Sequence, residues 1–354
     1  MSHGATLKDV AALSGVSTAT ASLVLNNREV RVSGETRERI IRSARRMHYR
    51  PNQFARNLVS GKTADIALIV PTIEDLRFTA LIKNLQRECL NDGYALIVHV
   101  SDNQRLRESI EMRRISGLSP EGLFLVASGE SVNREQELYE DVRKVSCPVI
   151  LVDHLFAETW CDGIAYDDYA GGRIAAEYLL QDTCGCIGCI FKGRSDCRRG
   201  FIDALGVLSI DMARVHLAEG IHTFEGGYAV ANALIDANVT TVFCESDLAA
   251  AGFMERAAER NLDIPKDVSI MGFGNMLERS GIYRPITSVS LDTNELAVKG
   301  WNMMRARIME ARSAATRTYR HVDSQSPKTE LLLPRIRNHG SVLSEWVDSH
   351  TLLS

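Results

Sequence analysis

Four closely spaced cysteines come nearest to a chemical site in this sequence. Cys184, Cys186, Cys189 and Cys197 have the spacing C-x-C-x-x-C followed by a later fourth cysteine. Thiolates at such spacing can bind zinc or act as a redox switch. Cys189, however, falls within an apolar strand pattern, adjacent strand residues point to opposite faces, and no second C-x-x-C pair completes a tetrahedral set. We therefore interpret these cysteines as small buried apolar residues and expect no metal site.

No set of residues suited to catalysis stands out. The histidines considered are scattered, with no H-x-x-x-H pair and no serine or cysteine nucleophile motif beside them: His3, His48, His99, His154, His216 and His222. Gly185, Gly188 and Gly193 do not form a phosphate-binding loop. The pattern favours a binding protein over an enzyme and implies no cofactor.

Charge is distributed unevenly along the chain. Residues 1–62 hold eleven Lys and Arg against four acids, a net charge of +7, whereas the whole chain carries −4 and the remainder therefore −11. A basic segment suits a polyanion such as nucleic acid, because each neutralised phosphate releases counterions and adds salt-dependent affinity.

The composition is that of a water-soluble protein. Apolar residues make up 45% and charged residues 24%, and no run reaches the roughly 18 uncharged apolar residues that a membrane helix needs. Residues 1–15 carry polar and charged side chains where a secretory signal needs a continuous apolar stretch. We therefore expect a cytoplasmic location and reduced thiols.

The basic segment is predicted to form three short helices. Thr6 to Leu13 has an N-cap residue and helical apolar spacing, Gly15 breaks it, and Ser17 caps a second helix over Thr18 to Asn26. A third helix is expected from Ser33 to Met47, before Pro51. Residues 1–50 are thus predicted to be a small all-α helix-turn-helix domain, and residues 51–62 a linker that is helical only in context.

From Asp65 onward, apolar strand candidates alternate with amphipathic helices, which is typical of parallel sheets covered on both faces. One predicted helix runs from Val132 to Val145, and the alternation restarts at Gly163 to Tyr166. We predict two doubly wound α/β lobes over residues 63–340. Lobe one is expected at about 63–155 and 290–325, lobe two at about 160–285 with the C-terminal strand, and a tail at 341–354.

The N-terminal residues resemble the head of the LacI/GalR family of transcription regulators. The chain follows the pattern T-L-x-D-V-A-x-x-x-G-V-S-x-x-T-x-S-x-x-x-N from Thr6 to Asn26. Matching residues continue through Val32, Pro51 and Leu58 and, more sparsely, through the two lobes. The resemblance implies a DNA-binding head joined to a periplasmic-binding-protein-like sensor.

In this family the second helix lies in the major groove of DNA. The residues that the resemblance places at DNA, apart from the linker, are Thr6, Ser17, Thr18, Ala19, Thr20, Ser22, Leu23 and Asn26. Hydroxyl and amide side chains can bond phosphates or base edges, whereas Ala19 offers an apolar contact to a thymine methyl. Leu23 stands where arginine is common in the family, so the operator half-site is expected to differ from the common one.

The linker resembles the family's hinge helix, in which Leu58 from each of two chains would enter the minor groove. Such an apolar wedge unstacks a base step and bends DNA at a cost of about a few kcal/mol, offset by extra contacts. The remaining linker residues that the resemblance places at DNA are Asn52, Ala55 and Arg56. The alternative is a plain linker with Leu58 buried.

Family ligands lie between the lobes, near the carboxyl ends of the strands. The resemblance suggests these positions: Thr72, Asp75, Arg77, Phe78, Asp153, Arg198, Ser246, Asp247 and Asn275. Asp247 could instead cap the helix starting at Leu248, and Phe78 could be ordinary packing. The family's G-[FY]-D-D reads Gly272 to Asn275 without its carboxylates, and Arg198 is displaced by one position, so an effector would be held differently from the family's usual sugar.

Taken together, the sequence predicts a homodimeric DNA-binding regulator, since a twofold dimer reads a palindrome with half-sites roughly 10 base pairs apart. Family habit implies a repressor of a carbohydrate or related catabolic operon, with a sugar or sugar phosphate as the effector. The alternative is a solute-binding protein or sensor without DNA function, which would leave the basic residues 1–62 unexplained.

Overall fold

The structure is a computed structural model that describes residues 5–25, 29–47, 49, 64–180, 185–277, 284–316 and 326–343. The chain divides into two compact units, Met1–Thr63 and Ala64–Ser354. None of the helices in these ranges is long and apolar enough to cross a membrane.

The described residues of the first unit form the helices α1 (Leu7–Ser14), α2 (Thr18–Leu25) and α3 (Gly34–Arg46). The α1 helix begins with a capping box, in which Asp9 N donates to Thr6 Oγ1 and Thr6 N donates to Asp9 Oδ2. Gly15 adopts the left-handed conformation (φ 64°) that ends α1. Local capping and turn chemistry thus set the predicted helix-turn-helix.

A small apolar core joins these helices. Ala11 of α1, Ala21 and Val24 of α2 and Ile40 of α3 are buried together. The Arg39 guanidinium on α3 also donates from Nε to the Ser14 carbonyl at the end of α1, at 3.0 Å. One side of α2 is therefore buried, because Ala21 and Val24 pack in the core, and the opposite side is left to solvent.

The second unit has two six-stranded sheets. Sheet one has the order β11-β5-β4-β3-β1-β2 and is wholly parallel. Its strands are β1 (Asp65–Val70), β2 (Ala95–Val100), β3 (Gly122–Val126), β4 (Val149–Val152), β5 (Asp162–Tyr166) and β11 (Thr329–Leu332). The central strands are buried along most of their length, as expected for a parallel sheet with helices on both faces.

Sheet two has the order β12-β10-β9-β8-β6-β7 and is parallel except for the β10–β12 pair. Its strands are β6 (Cys186–Phe191), β7 (Val215–Glu219), β8 (Val239–Cys244), β9 (Ser269–Gly274), β10 (Thr287–Ser290) and β12 (Arg335–Arg337). Phe191, Phe201 and Phe243 form part of the core beneath it, with the Phe201 and Phe243 rings stacked at 4.6 Å.

Helices cover both faces of these sheets. They are α4 (Leu76–Asn91), α5 (Arg105–Leu118), α6 (Gly129–Val132), α7 (Glu135–Val142), α8 (Asp168–Leu179), α9 (Asp196–Val207), α10 (Phe224–Asp236), α11 (Asp247–Glu259) and α12 (Thr293–Thr316). The predicted fold class, a helical head and two parallel-sheet lobes, is confirmed.

Three expected boundaries differ from the structure. The strand at 163–166 was assigned to lobe two but is β5 of sheet one, because it pairs with β4 and its Asp162 binds Arg307 of α12. The helix expected over 132–145 is two helices, α6 and α7. The tail does not begin at 341, because Ser341 Oγ donates to the Ile270 carbonyl and Val342 is buried.

The chain crosses between the lobes three times. It leaves lobe one after β5, returns after β10 into α12, which packs against α4, and then runs from β11 in sheet one to β12 in sheet two. Each lobe is therefore completed by segments that are far apart in sequence. The three connecting segments run between the lobes at the carboxyl ends of the parallel strands.

Candidate functional site

The solvent-facing side of α2 is the candidate DNA-reading surface. Thr18 and Ala19 are exposed, whereas Ser22 and Leu23 are half-buried. The Ser17 hydroxyl accepts a hydrogen bond from Thr20 N at 3.1 Å and bonds the Thr20 hydroxyl at 2.8 Å. The first turn of α2 is thus capped, with Thr18 and Ala19 pointing away from the core.

Thr6 has a structural role that the sequence also suggested. Its hydroxyl donates to Asp9 Oδ2 at 2.7 Å within the capping box. This hydrogen bond lowers the pKa of Asp9. Thr6 remains exposed, so it can still meet a phosphate while it caps α1.

Several predicted residues lie outside the described residues, and their DNA contacts stay predictions. They are Asn26, where the second helix was expected to end, and the linker residues Asn52, Ala55, Arg56 and Leu58. Cys184 of the cysteine group also lies outside them.

On the lobe-one side of the cleft, the structure brings together three predicted residues. The Arg77 guanidinium bonds Asp75 Oδ2 from Nη2 at 3.3 Å and Asp153 Oδ2 from Nη1 at 3.4 Å. Asp75 also caps α4 by accepting from Arg77 N at 2.8 Å. The negative charges raise the pKa of Arg77, with Asp153 the largest cause. Asp153 and Arg77 therefore form one charged group at the ends of β4 and β1.

Two other lobe-one candidates have local structural roles. Thr72 Oγ1 accepts from Glu74 N at 3.1 Å and so shapes the turn after β1. Phe78 is only 7% exposed and packs in the core of the sensor. The packing interpretation of Phe78 is thus the one that its burial supports.

On the lobe-two side, Asp247 is bound within its own lobe. Its Oδ1 accepts from Ser288 Oγ and its Oδ2 from Met276 N, both at 2.7 Å. Burial raises its pKa, although these two hydrogen bonds oppose that effect. The helix begins at Asp247 itself and Ser246 is its N-cap, so the suggestion that Asp247 caps a helix starting at Leu248 is wrong.

The remaining lobe-two candidates are also engaged. Ser246 Oγ donates to the His222 carbonyl at 2.9 Å. Asn275 has a positive φ of 55°, and its Oδ1 lies 3.3 Å from His339 Nε2. Arg198 Nη2 pairs with Glu219 Oε1 at 2.7 Å, and its guanidinium lies over the Phe191 ring. Arg198 is therefore anchored at the cleft edge of sheet two.

Four further residues, which the sequence did not single out, lie at the same edge. Tyr166 ends β5, Asp168 begins α8 two residues later, Lys192 follows β6 and Glu245 follows β8. Burial raises the pKa of Asp168 to about 7, and the charges of Asp153 and Glu245 add to this while Arg77 and Lys192 oppose it. Charges from both lobes thus act on one carboxyl group. The signal available in the sequence was that each residue ends or follows a strand.

The raised pKa of Asp168 predicts that the wild type and Asp168→Asn differ in stability by an amount that depends on pH. A raised folded-state pKa means that the native protein binds more protons than the unfolded chain, so Asp168 costs stability as pH rises from about 4 through about 7. We expect Asp168→Asn to be more stable than the wild type by about 1 kcal/mol or more at pH 8.

Thermal unfolding from pH 5 to pH 8 measures this effect. The advantage of Asp168→Asn should shrink as pH falls towards 5. Asp203→Asn is a suitable control, because Asp203 accepts from the exposed Tyr169 hydroxyl on the surface. An equal change at all pH values in Asp168→Asn would contradict the assignment.

The cysteines that the structure describes are free thiols. Cys189 and Cys197 are buried, and burial raises the pKa of both. Among the residues with a described placement, no three His, Cys, Asp or Glu side chains are arranged to hold a metal ion. The geometry of Cys189 and Cys197 supports the interpretation of these thiols as packing residues.

Two family models match the chain. The model of bacterial regulatory proteins of the lacI family covers residues 6–52, and a periplasmic binding protein-like domain covers residues 176–326. The HTH-type transcriptional repressor PurR of Histophilus somni (strain 2336) is 28% identical over 321 residues, which span 86% of this chain and 93% of that protein.

Solved structures share the fold. The lac repressor dimer bound to operator and an anti-inducer matches with a TM-score of 0.78 at 18% identity, over 97% of this chain and 100% of that chain. A LacI family regulator of Enterococcus faecium with bound ribose matches with a TM-score of 0.66 at 22% identity, over 78% and 98%.

Proposed function

We propose that the chain is a sequence-specific DNA-binding repressor of the lacI family, controlled by a small molecule, because the lacI family model matches residues 6–52 and a periplasmic binding protein-like model matches residues 176–326. Its relative PurR is named a transcriptional repressor, which supports the sign of regulation. Residues 1–50 are the DNA-binding head, residues 51–62 the hinge, and the two lobes that follow the sensor. Repression of transcription places the protein in the cytoplasm, and the function needs no catalytic step.

The observation that carries this proposal is the two-sided second helix of the head. Ala21 and Val24 are held in the core, while Thr18 and Ala19 face solvent in the first turn of α2. A helix held in this way can enter a major groove without losing its packing, and its N-terminal residues then meet base edges. The charge of +7 on residues 1–62 supplies phosphate contacts.

We propose a homodimer on a palindromic operator. One head of this size covers half a site, and a twofold dimer covers two half-sites about 10 base pairs apart. The lac repressor, whose fold the chain shares, is described as a dimer bound to operator. Each protomer would place Leu58 beside its partner's Leu58 at the centre, where the paired side chains wedge open one base step.

We propose the cleft between the lobes as the effector site. The charges of Arg77 and Asp153 in lobe one and of Lys192 and Glu245 in lobe two all act on Asp168, which begins α8, so a bound molecule can contact both lobes and favour one lobe arrangement. The structurally similar LacI family regulator with bound ribose supports a small polar molecule as the effector. A carbohydrate or related catabolic operon stays a prediction.

Leu58→Ala tests the hinge within this function. We expect specific operator affinity to fall on the order of 30-fold, about 2 kcal/mol, because the wedge and the bend that it supports are lost. The remaining binding should be weak and strongly salt-dependent, since it rests on phosphate contacts. Fluorescence anisotropy with a palindromic and a scrambled duplex across salt measures both quantities.

Leu343→Ala is the matched control, since Leu343 is 65% exposed and lies beyond the last strand of sheet two. It should bind like the wild type. Equal affinity of Leu58→Ala and wild type for the palindrome would contradict the assignment of Leu58 to a hinge wedge. Equal affinity of the wild type for the palindromic and the scrambled duplex would contradict sequence-specific recognition.

A further inference from the structure

The cleft has more negative than positive side chains at its centre. Asp75 and Asp153 share the single guanidinium of Arg77. Glu245 is 4% exposed, and its Oε2 accepts a hydrogen bond from the backbone N of Lys192 at 3.0 Å. Asp168 adds a fourth carboxyl group, with Lys192 the other cation that acts on it.

Asp168 is the carboxyl group whose charge is least compensated. Among the residues that the structure describes, none donates a hydrogen bond to it or pairs with it as an ion. A carboxylate at a largely buried position is stable only when opposite charge or hydrogen-bond donors compensate it. Binding of a donor-bearing ligand would supply what the protein itself does not.

A second and independent feature lies beside it. Tyr166 is 9% exposed, and its phenolic oxygen is shielded from solvent without a hydrogen-bond partner among the described residues. Tyr166 ends β5, the strand beside β4, and Asp153 follows β4. Burial is the main cause of the raised pKa of this phenol, and the charges of Asp153 and Asp292 add to it while Arg77 opposes it, so the hydroxyl lies within electrostatic reach of the Arg77–Asp153 pair. Buried tyrosine hydroxyls normally have a partner, and this one is placed to gain it from a ligand.

We propose that the effector is a small organic cation, a protonated amine that also carries hydroxyl or further amine groups. The inference rests on the proposed function only in placing the effector between the lobes. An ammonium group offers three hydrogen-bond donors, which suit Asp168, Asp153 and the oxygen of Tyr166. A sugar phosphate is disfavoured, because its charge would add to that of four carboxyl groups.

The test compares ligands that differ only in the amine. Isothermal titration calorimetry would measure glucosamine against glucose, galactosamine against galactose, and putrescine against 1,4-butanediol. N-acetylglucosamine and glucose 6-phosphate serve as the neutral acylated and anionic members. We expect at least one amine to bind tenfold or more tightly than its neutral counterpart. N-acetylglucosamine and glucose 6-phosphate should bind no more tightly than glucose.

Asp168→Asn and Glu255→Gln identify the site. Asp168→Asn should reduce the amine preference to about onefold, whereas Glu255→Gln removes an exposed charge from α11 and should leave it unchanged. At pH 6.5, amine binding to the wild type should release protons, because a bound cation favours the ionised carboxylate. Titration in two buffers of different ionisation enthalpy measures that release.

Each other outcome overturns the inference. A neutral or phosphorylated member that binds as tightly as its amine, a preference that survives in Asp168→Asn, or a panel in which no amine binds would contradict it. Operator binding by the same preparation is measured in parallel. Intact operator binding with no amine preference would remove the cationic effector alone, and loss of specific operator binding would remove the proposed function.

Discussion

Ala19→Glu should lower specific operator affinity at least 100-fold, about 3 kcal/mol, while the head stays folded. Ala19 is exposed in the first turn of α2, so a longer side chain meets no core residue. A carboxylate there also interacts favourably with the helix N-terminus, which protects the fold. Against DNA the same carboxylate would face phosphates and base edges and would lose its hydration, so binding should fall.

The matched control for this variant is Arg42→Ala, which changes the net charge by the same amount. Arg42 lies on α3 with its side chain 80% exposed, where it forms only a long surface pair with Glu38. Its loss should weaken binding by a small factor that diminishes with salt. Similar losses in both variants would show that total charge, rather than the α2 surface, determines affinity.

Gly200→Ala should destabilise the sensor by about 3 kcal/mol or more. A Cβ on Gly200 of α9 would lie 2.0 Å from the Tyr169 carbonyl oxygen of α8, and one on Gly172 of α8 would lie 1.9 Å from the Cys197 carbonyl oxygen of α9. The two helices therefore approach each other through glycines, and backbone would have to move to admit a methyl group. Chemical denaturation of the full chain measures the loss.

Gly206→Ala provides the opposite expectation on the same helix. A Cβ there would have no neighbour within 4 Å, so alanine should stabilise α9 by about 0.5–1 kcal/mol through its better helix propensity. Equal effects of the two substitutions would contradict the close approach of α8 and α9.

Local signals explain why the head could be predicted. The Thr6 cap, the left-handed Gly15 and the Ser33 cap act within a few residues, and the structure has a helix boundary at each of them. The alternation of strands and helices likewise indicates parallel sheets whatever the tertiary detail.

Assignment of strands to lobes could not be obtained in this way. The pattern at 162–166 is that of a buried strand, but which sheet it joins depends on distant groups such as Arg307. β7 carries a weak strand signal, because its residues are half-buried or exposed and lack an apolar run.

The candidate site residues likewise differ in their contacts with distant parts of the chain. The family resemblance suggests Arg77 and Asp153, and the two side chains do meet. Asp247 and Phe78 looked equally suitable in sequence, yet one is bound by Ser288 and Met276 and the other is packed in the core. Only contacts between segments far apart in the chain distinguish a cleft residue from a structural one.

The most direct test of specific operator recognition is selection of DNA from a random duplex pool by the wild-type full chain, at two salt concentrations, followed by sequencing. We expect an enriched inverted repeat with half-sites about 10 base pairs apart, and loss of that enrichment with Ala19→Glu. Enrichment without twofold symmetry, or binding that depends on salt but not on sequence, would contradict it.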